Sequence, residues 1–256
     1  MMRNSIYATT FAVLAAAKLA AASTVLYQTE FEQNQGYDPQ FTLAFQNGWV
    51  SEGTGGNGLA SQIPGFGQQA YIGFFPPTDL NDLTTVWRPI VAPLPGGTKL
   101  IRFSVTMQIV PSTGGGDDEF RWSVFDTNAV RLLSLNFDTA TQKITFVPQD
   151  RVHRDTGYTF DFEGIYELVL WINLEGNVWS AQLNDRFIVN GETISPNPAG
   201  LSFGDVDAVW SIVNINGVGN NYMLFDNYRV SAESEAVIPG YLEPIGVNSS
   251  GHFTFN

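Results

Sequence analysis

The feature that most limits how this chain can fold is an alternation of apolar and polar residues that recurs along its length. In the segment KLIRFSVTMQIV, every second residue from Ile101 to Ile109 is apolar, and the residues between them are polar. Successive side chains of a β-strand point to opposite faces of the sheet, so this pattern predicts a strand with one buried face. Similar runs occur at residues 120–125, 132–137, 143–147, 166–172 and 208–215, whereas helical periodicity is nearly absent.

Turn-forming residues separate these runs. The tetrapeptide LEGN at 174–177 predicts a hairpin turn between YELVLWIN and VWSAQL, and Asn190-Gly191 predicts a two-residue turn after RFIV. Short alternating strands joined by such turns are typical of antiparallel sheets that are buried on one side. The pattern therefore predicts an all-β fold, a two-sheet antiparallel jelly-roll sandwich, formed by one domain over residues 24–233.

Residues 1–23 have the features of a secretory signal peptide. Arg3 gives a basic start, residues 6–17 form an apolar segment, and the small residues Ala20 and Ala22 stand where signal peptidase requires them. The alternative is an N-terminal membrane anchor, but Lys18 interrupts the apolar run short of the about 20 residues that a spanning helix needs. We therefore expect cleavage near Ser23, a secreted or cell-surface location, and no membrane span in the mature chain.

The last 23 residues, 234–256, differ in character from the rest of the chain. Pro239, Gly240 and Pro244 are typical of a linker, and the final segment GHFTFN has the alternation of a single strand. Two interpretations remain open for this tail. It is the start of a further β module in a longer protein, or a segment that docks on the sandwich.

Composition excludes several classes of function. The formal net charge is −13, with 12 Lys and Arg against 25 Asp and Glu, so nucleic acid is not an expected partner. Neutral glycans and divalent cations are compatible with this charge. The chain has no cysteine, which excludes disulfides, thiol nucleophiles and zinc sites built from cysteine.

Two long segments of the chain resemble a known family. They are YELVLWINLEGNVWSAQLNDRFIVNGETIS and LSFGDVDAVWSIVNINGVGNNYMLFDNYRV, which carry Trp171 and Trp179, Trp210, and the Asp226-Asn227 pair of a closing strand. In these features the chain resembles the concanavalin A-like, laminin-G-like jelly-roll domains of secreted bacterial proteins. The resemblance covers most of the mature chain. It implies the sandwich fold far more specifically than it implies a ligand.

The same family includes glycan hydrolases, whose catalytic acids alternate on one strand as Glu-x-Asp-x-Glu. The nearest match is TFDFE, in which Asp161 and Glu163 have the required spacing but Thr159 stands where the first Glu is needed. The only two histidines are His153, in a polar loop, and His252, in the tail, so a Ser-His-Asp triad is not expected either. The sequence therefore predicts that the chain is not an enzyme.

Exposed aromatic side chains are the usual means by which β-sandwiches bind sugars. Trp49, Tyr71 and Trp87 lie at borders between loops and strands and are the aromatic residues that we expect to be reachable. The alternative is that each packs in the core or against a loop. We take these three as candidate glycan contacts.

Acidic residues give candidates for cation binding. Asp226 falls in an apolar row of YMLFDNYRV, where an unpaired carboxylate is costly. The resemblance implies that the closing strand lies beside the first one, which would bring Asp226 near Glu30 and Glu32. A structural Ca²⁺ shared by Glu32, Asp226 and loop carbonyls would explain the acid, and so would hydrogen bonds from backbone amides or from Arg or Tyr side chains.

A second acidic pair, Asp205 and Asp207 in FGDVDAVW, points to one side at the entrance of a strand. Local hydrogen bonding to a turn explains such residues without a ligand. Taken together, the sequence favours a secreted, non-catalytic β-sandwich that binds glycan or another extracellular surface ligand. The alternatives are a divergent glycan hydrolase or lyase of the same fold and a structural spacer domain of a larger cell-surface protein.

Overall fold

A computed structural model describes residues 23–79, 83–91, 94–96, 98 and 100–233 of the chain. The predicted signal peptide, apart from Ser23, and the tail 234–256 lie outside the described residues. No helix in these ranges is long and apolar enough to cross a membrane.

Strands dominate this part of the chain, together with one turn of 3-10 helix at Gln33–Gln35. The strands are β1 (Thr24–Thr29), β2 (Val50–Glu52), β3 (Asn57–Ala60), β4 (Gln69–Gly73), β5 (Leu83–Trp87), β6 (Leu100–Val110), β7 (Glu119–Phe125), β8 (Arg131–Asp138), β9 (Lys143–Pro148), β10 (Arg154–Thr159), β11 (Tyr166–Asn173), β12 (Val178–Leu183), β13 (Arg186–Thr193), β14 (Asp205–Ser211) and β15 (Tyr222–Glu233).

The strands form two antiparallel sheets. Sheet A has the order β13-β12-β11-β6-β15-β4-β3, and β1 pairs with the C-terminal half of β15. Sheet B has the order β10-β9-β8-β7-β14-β5-β2. The predicted all-β, two-sheet antiparallel sandwich is therefore confirmed.

Large aromatic side chains fill the space between the two sheets. Trp122 of β7 in sheet B packs against Phe103 of β6 and Phe225 of β15 in sheet A, with ring centroids 5.2 and 5.4 Å away. Tyr228 of β15 is fully buried and donates its hydroxyl to the backbone carbonyl of Val206 in β14, at 2.9 Å. These contacts join the middle strands of the two sheets and form part of the hydrophobic core.

A β-bulge in β15 changes the predicted face of Asp226. Simple alternation places Asp226 on the same face as Tyr228 and Val230, but the pairing with β6 shifts between Asp226 and Arg229, and Asn227 has φ +51°. The extra residue reverses which side chains point inward. Tyr228 therefore points into the core, whereas Asp226 points outward, away from it.

One predicted turn is confirmed and one is wrong. Residues 174–177 join β11 to β12 as predicted from LEGN. Asn190-Gly191 lies inside β13, where the pairing with β12 is irregular, and the turn between β12 and β13 is instead Asn184-Asp185. Both residues of that turn have positive φ, 48° and 63°, as a tight hairpin requires.

Candidate functional site

Trp49 was expected to be reachable, and the structure corrects this. Its side chain is 1% exposed, and its ring lies in the core beside Phe31 and Tyr228. The indole Nε1–H donates to the hydroxyls of Tyr27 and Tyr37, at 3.1 and 3.0 Å. A tight turn before Trp49 directs the residue inward, so this ring has no face left for a sugar.

Tyr71 and Trp87 are half-buried and lie on different sheets. Tyr71 belongs to β4 and lies on the outer face of sheet A, whereas Trp87 ends β5 in sheet B. The three aromatic residues chosen from the sequence are therefore not brought together. Trp49 lies in the core, Tyr71 on the outer face of sheet A and Trp87 on the outer face of sheet B.

Trp87 lines a groove on the outer face of sheet B, which we call the sheet-B groove. Its volume is about 500 Å³. The residues that give it chemical character come from β5, β7, β8 and β14, and they are Thr85, Trp87, Arg121, Arg131, Asp205 and Asp207.

Strand alternation explains why acidic residues line this groove. In β14, Val206, Ala208 and Trp210 point into the core, so Asp205 and Asp207 point outward. The same alternation in β7 turns Ser123 outward, directly opposite Asp207 in the pairing of the two strands. The sequence correctly predicts that both acids lie on one side of the strand. It explains them by hydrogen bonds within a turn, because the position of β14 in the sheet cannot be predicted from sequence.

The two carboxyl groups are held close together in a place that disfavours charge. Asp207 is 7% exposed, and it accepts a hydrogen bond from the Thr85 hydroxyl at 3.1 Å. Burial, then the charge of Asp205, raises the pKa of Asp207 to about 9, and burial raises the pKa of Asp205 to about 6. Because Asp207 hydrogen-bonds to Asp205, the pair retains a proton on Asp207 at neutral pH.

One oxygen of this pair accepts no hydrogen bond. Asp207 Oδ1 is buried and accepts no hydrogen bond from any described donor, although Asp207 lines the groove. The great majority of buried polar atoms in folded proteins are hydrogen-bonded. An unpaired acceptor beside the indole of Trp87 is suited to a ligand that offers hydroxyl groups next to an apolar face.

A second aromatic surface lies on the outer face of sheet A, and we call it the Tyr71 patch. Phe74 packs edge-on against Phe75 and Tyr222, with ring centroids at 4.7 and 5.5 Å. The ring of Tyr71 lies against Gly58, where an added Cβ would approach Tyr71 Cε1 to 2.9 Å. The hollow between these rings measures about 140 Å³, much less than the sheet-B groove.

Asp226 lies near Glu30 and Glu32, as expected from the pairing of β1 with β15. It is 2% exposed, and its Oδ1 accepts the backbone N–H of Asn227 at 2.7 Å. Burial, then the charges of Glu32 and Glu30, raises the pKa of Asp226 to about 7. A backbone amide is one of the two partners proposed from the sequence.

Few oxygen atoms around Asp226 could coordinate a calcium ion, which takes six to eight oxygen ligands. Glu32 Oε1 already accepts the backbone N–H of Gln68 at 3.1 Å. Within the described ranges, no group of three or more Asp, Glu or His side chains is placed to hold a metal ion. A site shared by Glu32 and Asp226 would depend on carbonyl oxygens and water for its other ligands.

The calcium prediction is tested by chelation. A Ca²⁺ held by Glu32 and Asp226 should make the melting temperature of the wild-type protein fall on addition of EDTA, because the ion binds only the folded state. In Asp226→Ala the melting temperature should not respond to EDTA. Scanning calorimetry of both proteins decides it, and a wild-type melting curve that ignores EDTA would eliminate the metal.

The acids considered for glycan hydrolysis lie elsewhere. Asp161 and Glu163 are exposed in the loop between β10 and β11, and Thr159 is the last residue of β10. They therefore do not project from one strand into the sheet-B groove.

No family model and no curated protein matches this chain. Solved structures do match. A sialidase matches with 10% identity and a TM-score of 0.56 over 82% of this chain, which covers 19% of the sialidase chain. A carbohydrate esterase from the Shiga toxin-encoding bacteriophage phi24B has 12% identity and a TM-score of 0.54, with 83% of this chain and 100% of the esterase chain covered.

A lectin-like defence protein from Phaseolus vulgaris, arcelin-5, is also similar. It has 9% identity and a TM-score of 0.51, with 84% of this chain and 99% of the arcelin chain covered. At these identities the likeness shows a shared all-β sandwich fold and nothing about individual residues.

Proposed function

We propose that this chain is a secreted, non-catalytic, concanavalin A-like β-sandwich that binds glycan in the sheet-B groove. The observation that carries the proposal is a groove of about 500 Å³ that Trp87 and Asp207 both line, in which the buried Asp207 Oδ1 accepts no hydrogen bond from a described donor. Structural neighbours that include a carbohydrate esterase and a lectin-like protein make glycan binding plausible for this fold.

The chemistry of the groove suits a sugar. A pyranose ring has an apolar face, which packs on an aromatic ring, and a rim of hydroxyls, which need fixed donors and acceptors. Trp87 offers the aromatic ring, and Asp205 and Asp207 offer carboxyl oxygens held in place by Thr85 and by each other. A ligand hydroxyl that donates to Asp207 Oδ1 would satisfy a buried acceptor that no described donor reaches.

Binding of glycan is tested by replacing the indole. The oligosaccharide that binds most tightly is first identified on a glycan array. Trp87→Ala should lower the affinity for it by about tenfold or more, because the substitution removes the stacking surface. The matched control is Trp171→Ala, which removes a half-buried tryptophan from the outer face of sheet A. Isothermal titration calorimetry measures both. Equal affinities in the two variants would contradict the proposed site, and an array without any bound glycan would favour the spacer alternative.

Catalysis by Asp205 and Asp207 is disfavoured by their separation. Glycosidases hold their two carboxyl groups about 5 to 9.5 Å apart, to admit the sugar carbon or a water molecule, whereas these two groups hydrogen-bond to each other. Incubation with β-glucans should therefore release no reducing sugar above background. Turnover that disappears in Asp205→Asn would overturn this and support the hydrolase alternative.

A further inference from the structure

Two arginines lie together at one side of the sheet-B groove. A second cavity of about 530 Å³ is lined by Arg131 and Arg151 and shares Phe125, Ala129 and Arg131 with the groove, so the two spaces adjoin. Arg121 lies on the neighbouring strand β7. The groove thus runs from an acidic end at Asp205 and Asp207 to a basic end.

These arginines are unusual in a chain with so few basic residues, 12 against 25 acids. Arg121 already has partners, since it donates to Glu119 Oε1 at 2.5 Å and to the Ser211 hydroxyl at 2.9 Å. The side chains of Arg131 and Arg151 form no ion pair and no hydrogen bond with the residues that the structure describes. Two arginines without an ion pair therefore line one cavity, Arg131 half-buried and Arg151 exposed.

The electrostatics at this end favour an incoming anion. Burial lowers the pKa of Arg131, and the charges of Arg121 and Arg151 lower it further, by more than the charge of Glu119 raises it. A half-buried cation with like charges beside it is destabilising unless an anion offsets its charge. A free arginine on an open surface would need no such partner, but Arg131 is half-buried and lies beside Phe125.

The strand pairing fixes the distance between the two ends. Asp205, Phe125 and Arg131 are paired side by side on β14, β7 and β8. Two strand spacings amount to about 10 Å, so a ligand longer than one sugar ring reaches both ends. Phe125 lies between the acid and the arginine and offers a second apolar surface along the path.

We propose that the ligand of the sheet-B groove is an anionic oligosaccharide, whose carboxylate or sulfate group is bound by Arg131 and Arg151 while a neighbouring sugar stacks on Trp87 and donates to Asp207. The inference rests on the proposed function and narrows its ligand class. The net charge of the chain was only found to be compatible with neutral glycans, and the local charge of this cavity opposes that of the whole chain.

The test compares charged oligosaccharides with their own neutral forms. Hexasaccharides of galacturonate and mannuronate are titrated beside their carboxyl-reduced counterparts, and sulfated chondroitin beside its desulfated form. At least one charged probe should bind about tenfold or more tightly than its neutral form, because hydrogen bonds from arginine to an anion are stronger than those to a neutral group. The uronate and sulfate arms identify the source of the anion.

Arginine variants locate the effect. Arg131→Gln and Arg151→Gln should each remove most of the preference for the charged probe, and Arg131→Lys should keep part of it. The matched control is Arg186→Gln, which removes an arginine that stacks on Tyr158 at 4.6 Å, outside the groove. Melting curves confirm that each variant is folded.

The outcomes separate this inference from the proposed function. Charged and neutral probes that bind equally well, with loss of both in Trp87→Ala, would overturn the anion site and leave glycan binding intact. If both Arg131→Gln and Arg151→Gln still bind the charged probe more tightly than its neutral form, the anion site is also overturned. If no saccharide binds at all, both the proposed function and this inference fail.

Discussion

An Asp207→Asn variant is expected to melt roughly 5 to 10 °C above the wild-type protein at pH 8, and at nearly the same temperature at pH 4. The pKa of Asp207 is raised to about 9, mainly by burial, so the folded protein retains a proton that the unfolded chain releases above about pH 4. The stability contributed by this group is therefore lost as pH rises from 4 towards 9. Asparagine is neutral throughout, so the variant avoids that loss.

The size of the effect follows from the linkage of proton binding to folding. One pKa unit corresponds to about 1.4 kcal/mol, so the four pH units between 4 and 8 give an upper limit of about 5.6 kcal/mol. We expect the free energy of unfolding at pH 8 to rise by about 3 kcal/mol in the variant, because relaxation and water in the groove reduce the cost of ionising Asp207. Asp185→Asn is the control, because it removes an exposed carboxylate from the turn between β12 and β13 and changes the net charge equally. Calorimetry at both pH values measures this. Equal increases of the melting temperature at pH 8 in the two variants would show that the change in net charge alone is responsible.

Trp122→Ala is expected to lower the free energy of unfolding by about 3–5 kcal/mol. The side chain is 0% exposed, packs against Phe103 and Phe225 of the opposite sheet, and donates its Nε1–H to Met107 Sδ at 3.3 Å. Alanine leaves a cavity between the middle strands of both sheets, and these strands cannot close it without losing their own pairing.

Urea denaturation measures the free energy of unfolding of Trp122→Ala, and Trp171→Ala is the matched control. Trp171 is half-buried on the outer face of sheet A, where Arg102 stacks on it at 5.4 Å, so its removal leaves no internal cavity. The control should lose much less stability. A loss in Trp122→Ala no larger than that of Trp171→Ala would contradict the placement of the core.

Much of the fold could be predicted from the sequence, because alternation reports a strand with one buried face wherever it is regular. The row from Ile101 to Ile109 points into the core of the sandwich as predicted. The strand pairings could not be predicted in the same way, since they depend on contacts between residues far apart in the chain. The pairing of β14 with β7, which sets Asp207 opposite Ser123, is one of these.

Local irregularities account for the predictions that were wrong. The bulge at Asp226 and Asn227 adds one residue to β15, and alternation read across it assigns Asp226 to the core face. Trp49 follows a turn that folds inward, and nothing in its neighbouring residues distinguishes this from a turn that points to solvent. The Asn190-Gly191 pair has the composition of a turn, but the strand continues through it.

The placement of the acids and arginines of the groove could be predicted from the sequence only in part. Period-2 spacing places Asp205 and Asp207 on one face, but their burial and their shared proton arise from the strands on either side. Arg131 and Arg151 lie on opposite sides of β9 in sequence, and they come together only because β8 and β9 form a hairpin.

The most direct test of the central claim is to map where an oligosaccharide binds. Isotope-labelled protein is titrated with the tightest ligand of the array and followed by amide and indole chemical shifts. Glycan binding in the sheet-B groove predicts that the Trp87 indole and the amides of Ser123 and Asp207 shift in proportion to occupancy, while Tyr71 and Tyr222 do not respond. Shifts confined to the Tyr71 patch, with Trp87 unchanged, would contradict it.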